Sequence, residues 1–137
     1  MDRPNAFVDS HRQRLMWSVQ ALAAPADVQI TLYPDFVVKA DELALDFENW
    51  YECARSILAS GWSESQRAAL AALDAKLGEM SRGGAEFTAD LWLESGLASD
   101  PNWQQVRELA RAALRLFSWP VERPPGAPES RGAWYIR

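Results

Sequence analysis

The chain has 137 residues, 48% hydrophobic and 24% charged, with a formal net charge of −5. That length suits one domain with a core of its own. The acidic balance is wrong for gripping duplex DNA directly, where phosphates call for Lys and Arg. A lone cysteine, Cys53, excludes an internal disulfide, and one cysteine with one histidine, His11, excludes a Cys/His zinc cluster. The opening MDRPNAFVDSHRQR has no apolar stretch of signal-peptide type, and no apolar run approaches the ~18 residues that span a bilayer. The expectation is a soluble cytoplasmic protein.

In chain order, Ser10 to Ala23 places Leu15, Val19, Leu22 and Ala23 on one helical face, and Pro25 stops it. Val28 to Tyr33 (VQITLY) alternates apolar with polar residues and is β-branched, which predicts a strand. Tyr33-Pro34-Asp35-Phe36 reads as a turn, and Phe36 to Val38 as a second short strand. Such a two-strand element has to rest on helices. Asp41 then opens a long helix with Leu43, Phe47, Trp50, Ala54, Ile57 and Leu58 inward, ended by Gly61.

Ser63-Glu64-Ser65-Gln66 is a capping box, in which Ser63 and Gln66 satisfy each other's free amides. The helix it starts carries Leu70, Leu73, Leu77 and Met80 inward, and its alanine-flanked stripe predicts close antiparallel packing on the preceding helix. Ser81 to Gly84 reads as a loop, and Thr88 as the cap of a short helix closed by Gly96. Asp100-Pro101 joins a capping carboxylate to a proline at the first helical position. The last helix turns Trp103, Val106, Leu109, Ala110, Ala113, Leu116 and Phe117 inward and stops before Pro120.

These elements predict a mainly α fold: a single-domain bundle of four to five helices with a minor two-strand or extended element. Residues 1–119 form the globular domain. Residues 120–137 form a Pro-rich tail ending in Trp134-Tyr135-Ile136-Arg137, which either docks on the domain or offers a short motif to a partner. Core positions are Leu43, Phe47, Trp50, Ala54, Ile57, Leu70, Leu73, Leu77, Val106, Leu109, Ala113 and Phe117. Most of the seven tryptophans, spread along the chain, are expected to be core anchors.

Charge is not spread evenly. Between Asp35 and Glu52, six carboxylates (Asp35, Asp41, Glu42, Asp46, Glu48, Glu52) face one base, Lys39, and sum to −5, the charge of the whole chain. Asp41 and Glu42 fall in the first turn of their helix, where the macrodipole favours them. Glu48 and Glu52 lie mid-helix one turn apart, where like charges cost a few tenths of a kcal/mol. Two readings follow for Asp41, Asp46, Glu48, Tyr51 and Glu52: a solvated face, or a surface for a basic partner with Tyr51 as its aromatic anchor. A second stripe, Arg107, Arg111 and Arg115, recurs every four residues on the outer face of the last helix. It faces water, pairs with acids on a neighbouring helix, or grips phosphates or the acidic face of another molecule, a second copy included, giving self-association.

No catalytic motif is present. A Cys53–His11 dyad is formally available, but Cys53 sits at the apolar edge of its helix. A magnesium site would need Glu42 and Asp46 joined by Glu64, Asp74 or Glu79 of the next helix. Neither cofactor nor metal is expected, and no membrane contact. The acidic DELALDFENWYE helix, with the chain's small size and acidity, is similar in kind to the small acidic helical immunity proteins with which bacteria neutralise toxins. The resemblance implies a non-enzymatic inhibitor of a basic protein partner. The alternatives are an oligomeric scaffold or adaptor, and a small enzyme or ligand-binding domain with a pocket between helices.

Overall fold

A computed structural model describes residues 6–82 and 89–124 of the chain. Among them are six α-helices: α1 (Ala6–Ala23), α2 (Ala26–Gln29), α3 (Lys39–Leu58), α4 (Glu64–Arg82), α5 (Glu94–Ser99) and α6 (Pro101–Leu116). Single 3-10 turns lie at Ala59–Gly61 and Ala89–Trp92. The mainly α reading holds. The Thr88 cap and the terminal WYIR lie outside the described residues.

The central element is α1. From Trp17 to Ala23 every residue is buried, because α3 covers one side of the helix and α6 another. The order around the bundle is α3, α1, α6, α4, and α5 packs against α2, α3 and α6. The pairing of α4 corrects the sequence reading: its main partner is α6, and it meets α3 only sparingly. Two hydrogen bonds fix the antiparallel run of α4 on α6: Gln66 Nε2 donates to the Leu116 carbonyl (3.1 Å), and Lys76 Nζ to Asn102 Oδ1 (2.8 Å). The alanine-rich stripe of α4 specified a close neighbour but not which one.

Both strands are absent among the described residues. Val28 to Tyr33 instead leaves α2 through a series of turns. Its amides donate backwards, Gln29 to the Pro25 carbonyl, Ile30 to Ala26, Thr31 to Val28 and Leu32 to Gln29, so no strand partner is needed. The period-2 pattern has another cause. Gln29 is buried because its Nε2 donates to the carbonyls of Ala21 (2.9 Å) and Leu22 (3.1 Å) at the open end of α1. Phe36 to Val38 form no strand either; Phe36 is exposed, and Val38 is the residue before α3.

The caps form as read. Ser63 N donates to Gln66 Oε1 (2.8 Å) and Gln66 N to Ser63 Oγ (3.1 Å). Asp100 Oδ1 accepts from Asn102 N (2.8 Å) at the start of α6. Gly96 does not close a helix but lies within α5, where a Cβ would sit 2.1 Å from the Asp90 carbonyl oxygen. Only glycine allows that approach.

The α3 stripe is turned from the expected one. Leu43, Phe47, Tyr51, Ala54 and Leu58 are buried, at spacings of four, four, three and four, while Trp50 and Ile57 are half-buried at the edge. Tyr51 replaces Trp50 inside because its ring stacks between Phe47 (5.3 Å) and Trp62 (6.4 Å), a partner from beyond the helix. Trp50 lies under the Arg14 guanidinium, 4.7 Å from the ring centre. Leu109 and Phe117 are half-buried and Leu116 is exposed; the other expected core positions are buried. Trp17 and Trp103 are fully inside, whereas Trp50, Trp62, Trp92 and Trp119 flank the core rather than anchor it.

Residues 120–124 do not leave the domain as a tail would. The Pro120 carbonyl accepts from Gln20 Nε2 (3.0 Å), Arg123 donates to Thr31 Oγ1 (3.2 Å), and Pro124 is buried. The turn that brings them back has Ser118 in the left-handed region (φ 56°). Ser118 N donates to the Arg115 carbonyl (3.1 Å) and Trp119 N to Leu114 (2.9 Å), the bond pair of a Schellman turn that usually holds glycine.

Candidate functional site: the acidic seam between α3 and α4

Because α4 leans on α6, the α3–α4 edge is open among the described residues. Two adjoining hollows of about 440 and 310 Å³ lie there. The first is lined by Leu45, Glu48, Asn49 and Glu52, the second by Asp41, Ala44, Leu45, Glu48, Ser81 and Trp92. Leu45 and Glu48 belong to both, so the hollows form one groove along α3.

Of the five residues expected on a partner surface, the structure brings three into this groove: Asp41, Glu48 and Glu52, all exposed. The other two point inward and are corrected here. Asp46 is 2% exposed and accepts from the Tyr33 hydroxyl at 2.9 Å, joining α3 to the segment before it. Tyr51 is 4% exposed within its aromatic stack, so it is a core residue and no anchor for a partner. Asp46 and Tyr51 flank the apolar stripe, and an aspartate or tyrosine at that margin turns inward once a buried hydrogen-bond or stacking partner is supplied. Those partners are remote in sequence.

Two side chains of the groove, and one acid near it, have no place in the sequence reading of this surface. Leu45, 48% exposed, is an apolar residue standing among the acids. Trp92 reaches the groove from the 3-10 turn before α5. Asp74 of α4 stands across the seam, close enough to Glu52 and Arg55 to feel both charges. Partial burial raises the Asp74 pKa above the usual carboxylate range, Glu52 adds to the rise, and Arg55 opposes it. The available signal was Leu45 itself, four after Asp41 and three before Glu48. Asp74 and Trp92 needed the tertiary structure.

At the Glu52 end of the groove stands a cation, Arg55. It holds Glu52 with one nitrogen at 2.9 and 3.0 Å from the two carboxylate oxygens and lies over the Tyr51 ring at 5.3 Å. Glu52 in turn raises the Arg55 pKa. Both partners are about half exposed, so solvent screens the pair and it contributes little to stability. It leaves Asp41, Glu48 and Asp74 as the net negative charge of the seam.

The arginine stripe has a different fate from the one expected. Arg107 is 4% exposed, on the buried side of α6 with Trp103 one turn before and Ala110 one turn after. Its Nε donates to the Ala24 carbonyl (3.2 Å), and its second nitrogen to Gln29 Oε1 (3.0 Å) and to the Leu97 carbonyl. Arg111 Nε donates to Ala23 O (3.2 Å). The two arginines, with Gln29, satisfy the carbonyls left open where α1 ends. Burial lowers the Arg107 pKa, and Arg111 lowers it further. Only Arg115 faces water, so the stripe offers no continuous basic face for the acids of a second copy.

Where α3 ends and α4 begins, an aromatic groove of about 250 Å³ is lined by Arg12, Leu58, Gly61, Trp62, Gln66, Phe117 and Trp119. Phe117 stacks on Trp119 at 4.4 Å and meets Trp62 edge-on at 5.8 Å. His11 Nδ1 donates to the Phe7 carbonyl of its own helix (2.8 Å), and Cys53 is a half-buried free thiol. Among the described residues no three His, Cys, Asp or Glu side chains gather to hold a metal ion, and no helix is long and apolar enough to cross a membrane. No family model, curated protein or solved structure matches the chain.

Proposed function

We propose that this protein is a non-enzymatic binding protein whose open α3–α4 seam captures a basic protein partner, in the manner of an immunity protein or antitoxin. One observation carries the reading. Asp41, Glu48 and Glu52 line adjoining hollows that also present Leu45 and Trp92, and Asp74 of α4 stands near enough to interact with Glu52, so negative charge and apolar contact share one surface. Fixed carboxylates steer a cationic surface toward the groove and raise the encounter rate, while apolar contacts slow its departure. A basic toxin that holds an anionic substrate would have that surface occupied.

The test is binding kinetics of Glu48→Gln/Glu52→Gln against a basic partner recovered by pull-down. The expected result is association slowed at low salt, a difference that fades as ionic strength rises, and an unchanged or slightly raised melting temperature. Association at the wild-type rate in low salt would reduce the seam to a solvated face.

A second reading rests on the aromatic groove. Trp62, Phe117 and Trp119 with Arg12 and Gln66 suit a small planar ligand, which would make the protein a small-molecule binder. Quenching of tryptophan fluorescence by such a ligand, lost in Trp119→Ala, is the result this reading requires.

A further inference from the structure

We propose that the element seated in the α3–α4 seam is a basic amphipathic helix of the partner, laid lengthwise as a further helix of the bundle; this rests on the reading of the seam as a partner surface.

The argument begins with spacing. The exposed stripe of α3 and its cap residue runs Val38, Asp41, Leu45, Glu48, Glu52, at intervals of three, four, three and four. Val38 and Leu45, 53% and 48% exposed, are one heptad apart, and so are Asp41 and Glu48. Apolar and acidic side chains thus alternate along one line, which at the helical rise extends roughly 21 Å.

The facing wall leaves room. On α4, Asp74, Gly78 and Ser81 share one helical stripe, and two of the three have almost no side chain. Gly78 has only the flexible end of Arg82 near the position of a Cβ. Trp92 closes the end of the groove beside Ser81. A helix entering here would touch α3 and α4 together, covering an edge that the described residues leave open.

Period then chooses helix over extended chain. A heptad advances about 10.5 Å along a helix, so a partner helix presents Lys or Arg to Asp41 and Glu48, and apolar side chains to Val38 and Leu45, without loss of register. An extended peptide repeats a given face every ~7 Å and falls out of step within two contacts. Strand addition has no template either, because the backbone walls of this groove are helical and bonded within themselves. Charge sets the sign: Asp41, Glu48, Glu52 and Asp74 outnumber the two cations of this surface, Arg55, already held by Glu52, and Arg82, whose guanidinium lies beside Gly78.

The experiment uses fluorescein-labelled peptides of about 15 residues, four turns of helix. One carries Leu and Lys each at heptad spacing on an Ala/Gln background. The other has the same composition permuted to break the period. Fluorescence anisotropy at low and high salt measures affinity, and circular dichroism measures helix gained on mixing. The heptad peptide should bind about ten-fold tighter than the permuted one, a difference of ~1.4 kcal/mol. It should gain helix on binding, and its advantage should vanish with Leu45→Lys, which changes an exposed position.

Equal affinity for the two peptides at low salt, lost for both at high salt, overturns the helix and leaves the acidic partner surface standing. A heptad preference that survives Leu45→Lys places the binding elsewhere and also overturns it. Failure of both peptides to bind at low salt, or binding indifferent to Glu48→Gln/Glu52→Gln, removes the helix and the partner surface together.

Discussion

Two edges of this bundle carry charged stripes at helical spacing, and they have opposite fates. At the α1–α6 edge the charges are arginines, and Arg107 is drawn fully inside because α1 ends there with carbonyls that need donors. At the α3–α4 edge the charges are acids, and Asp41, Glu48 and Glu52 are exposed, with a further acid, Asp74 of α4, near Glu52. Regular spacing alone does not decide between structure and surface. What decides is whether the neighbouring element brings unsatisfied groups of the complementary kind. The closed edge should carry stability and the open edge should carry almost none.

The largest break in that comparison comes from Arg107→Ala. It removes donors to Ala24 O, Gln29 Oε1 and Leu97 O, all around a buried site, and should destabilise the fold by about 3–5 kcal/mol. Arg115→Ala, two turns along the same stripe but exposed, should fall within about ±0.5 kcal/mol. Urea melts of the two variants give the contrast directly, and similar losses would dissolve the distinction between clamp and surface. Tyr51→Ala comes next. With its ring between Phe47 and Trp62, its loss should destabilise by about 3 kcal/mol and act through folding rather than through partner dissociation.

The closed side also contains a strained turn that substitution can relieve. Ser118 holds φ 56° so that Trp119 can return onto Phe117 and Pro120 can reach Gln20. Ser118→Gly removes the Cβ penalty of the left-handed region at some cost in chain entropy, and should stabilise by about 0.5–1 kcal/mol. A lower melting temperature in calorimetry would show that the Ser118 side chain makes a contact worth more than the strain.

Local chemistry was legible in the sequence and remote chemistry was not. Asp100-Pro101 and the Ser63/Gln66 box could be read because a cap needs only its own three or four residues. The acidic face was legible in part: Glu48 and Glu52 are solvated as the helical wheel requires. Asp46 and Tyr51 were misassigned because the hydroxyl of Tyr33 and the ring of Trp62 lie outside the helix that was being read. The same blindness made Arg107 look like a surface residue. Its acceptors at Ala24 and Gln29 are some eighty positions away, and Gln29 falls in a segment whose alternating pattern imitates a strand.

The smallest effect probes the open edge itself. Burial and Glu52 raise the Asp74 pKa, so the folded protein binds that proton more tightly than the unfolded chain. Between the ordinary carboxylate range and the raised folded value, the native state therefore holds more protons, and this group's contribution to stability falls as pH rises through that window. Above it, a charged Asp74 is a small standing cost. Asp74→Asn removes the charge and keeps the shape, so the melting temperature should rise slightly near neutral pH. The gain should shrink as the pH falls through the window and disappear once the carboxyl is protonated in both states. Paired thermal melts across that range measure it. A variant less stable than wild type at neutral pH would mean that Arg55 dominates at Asp74, and that the seam is a balanced ion cluster rather than an acidic groove waiting for a cation.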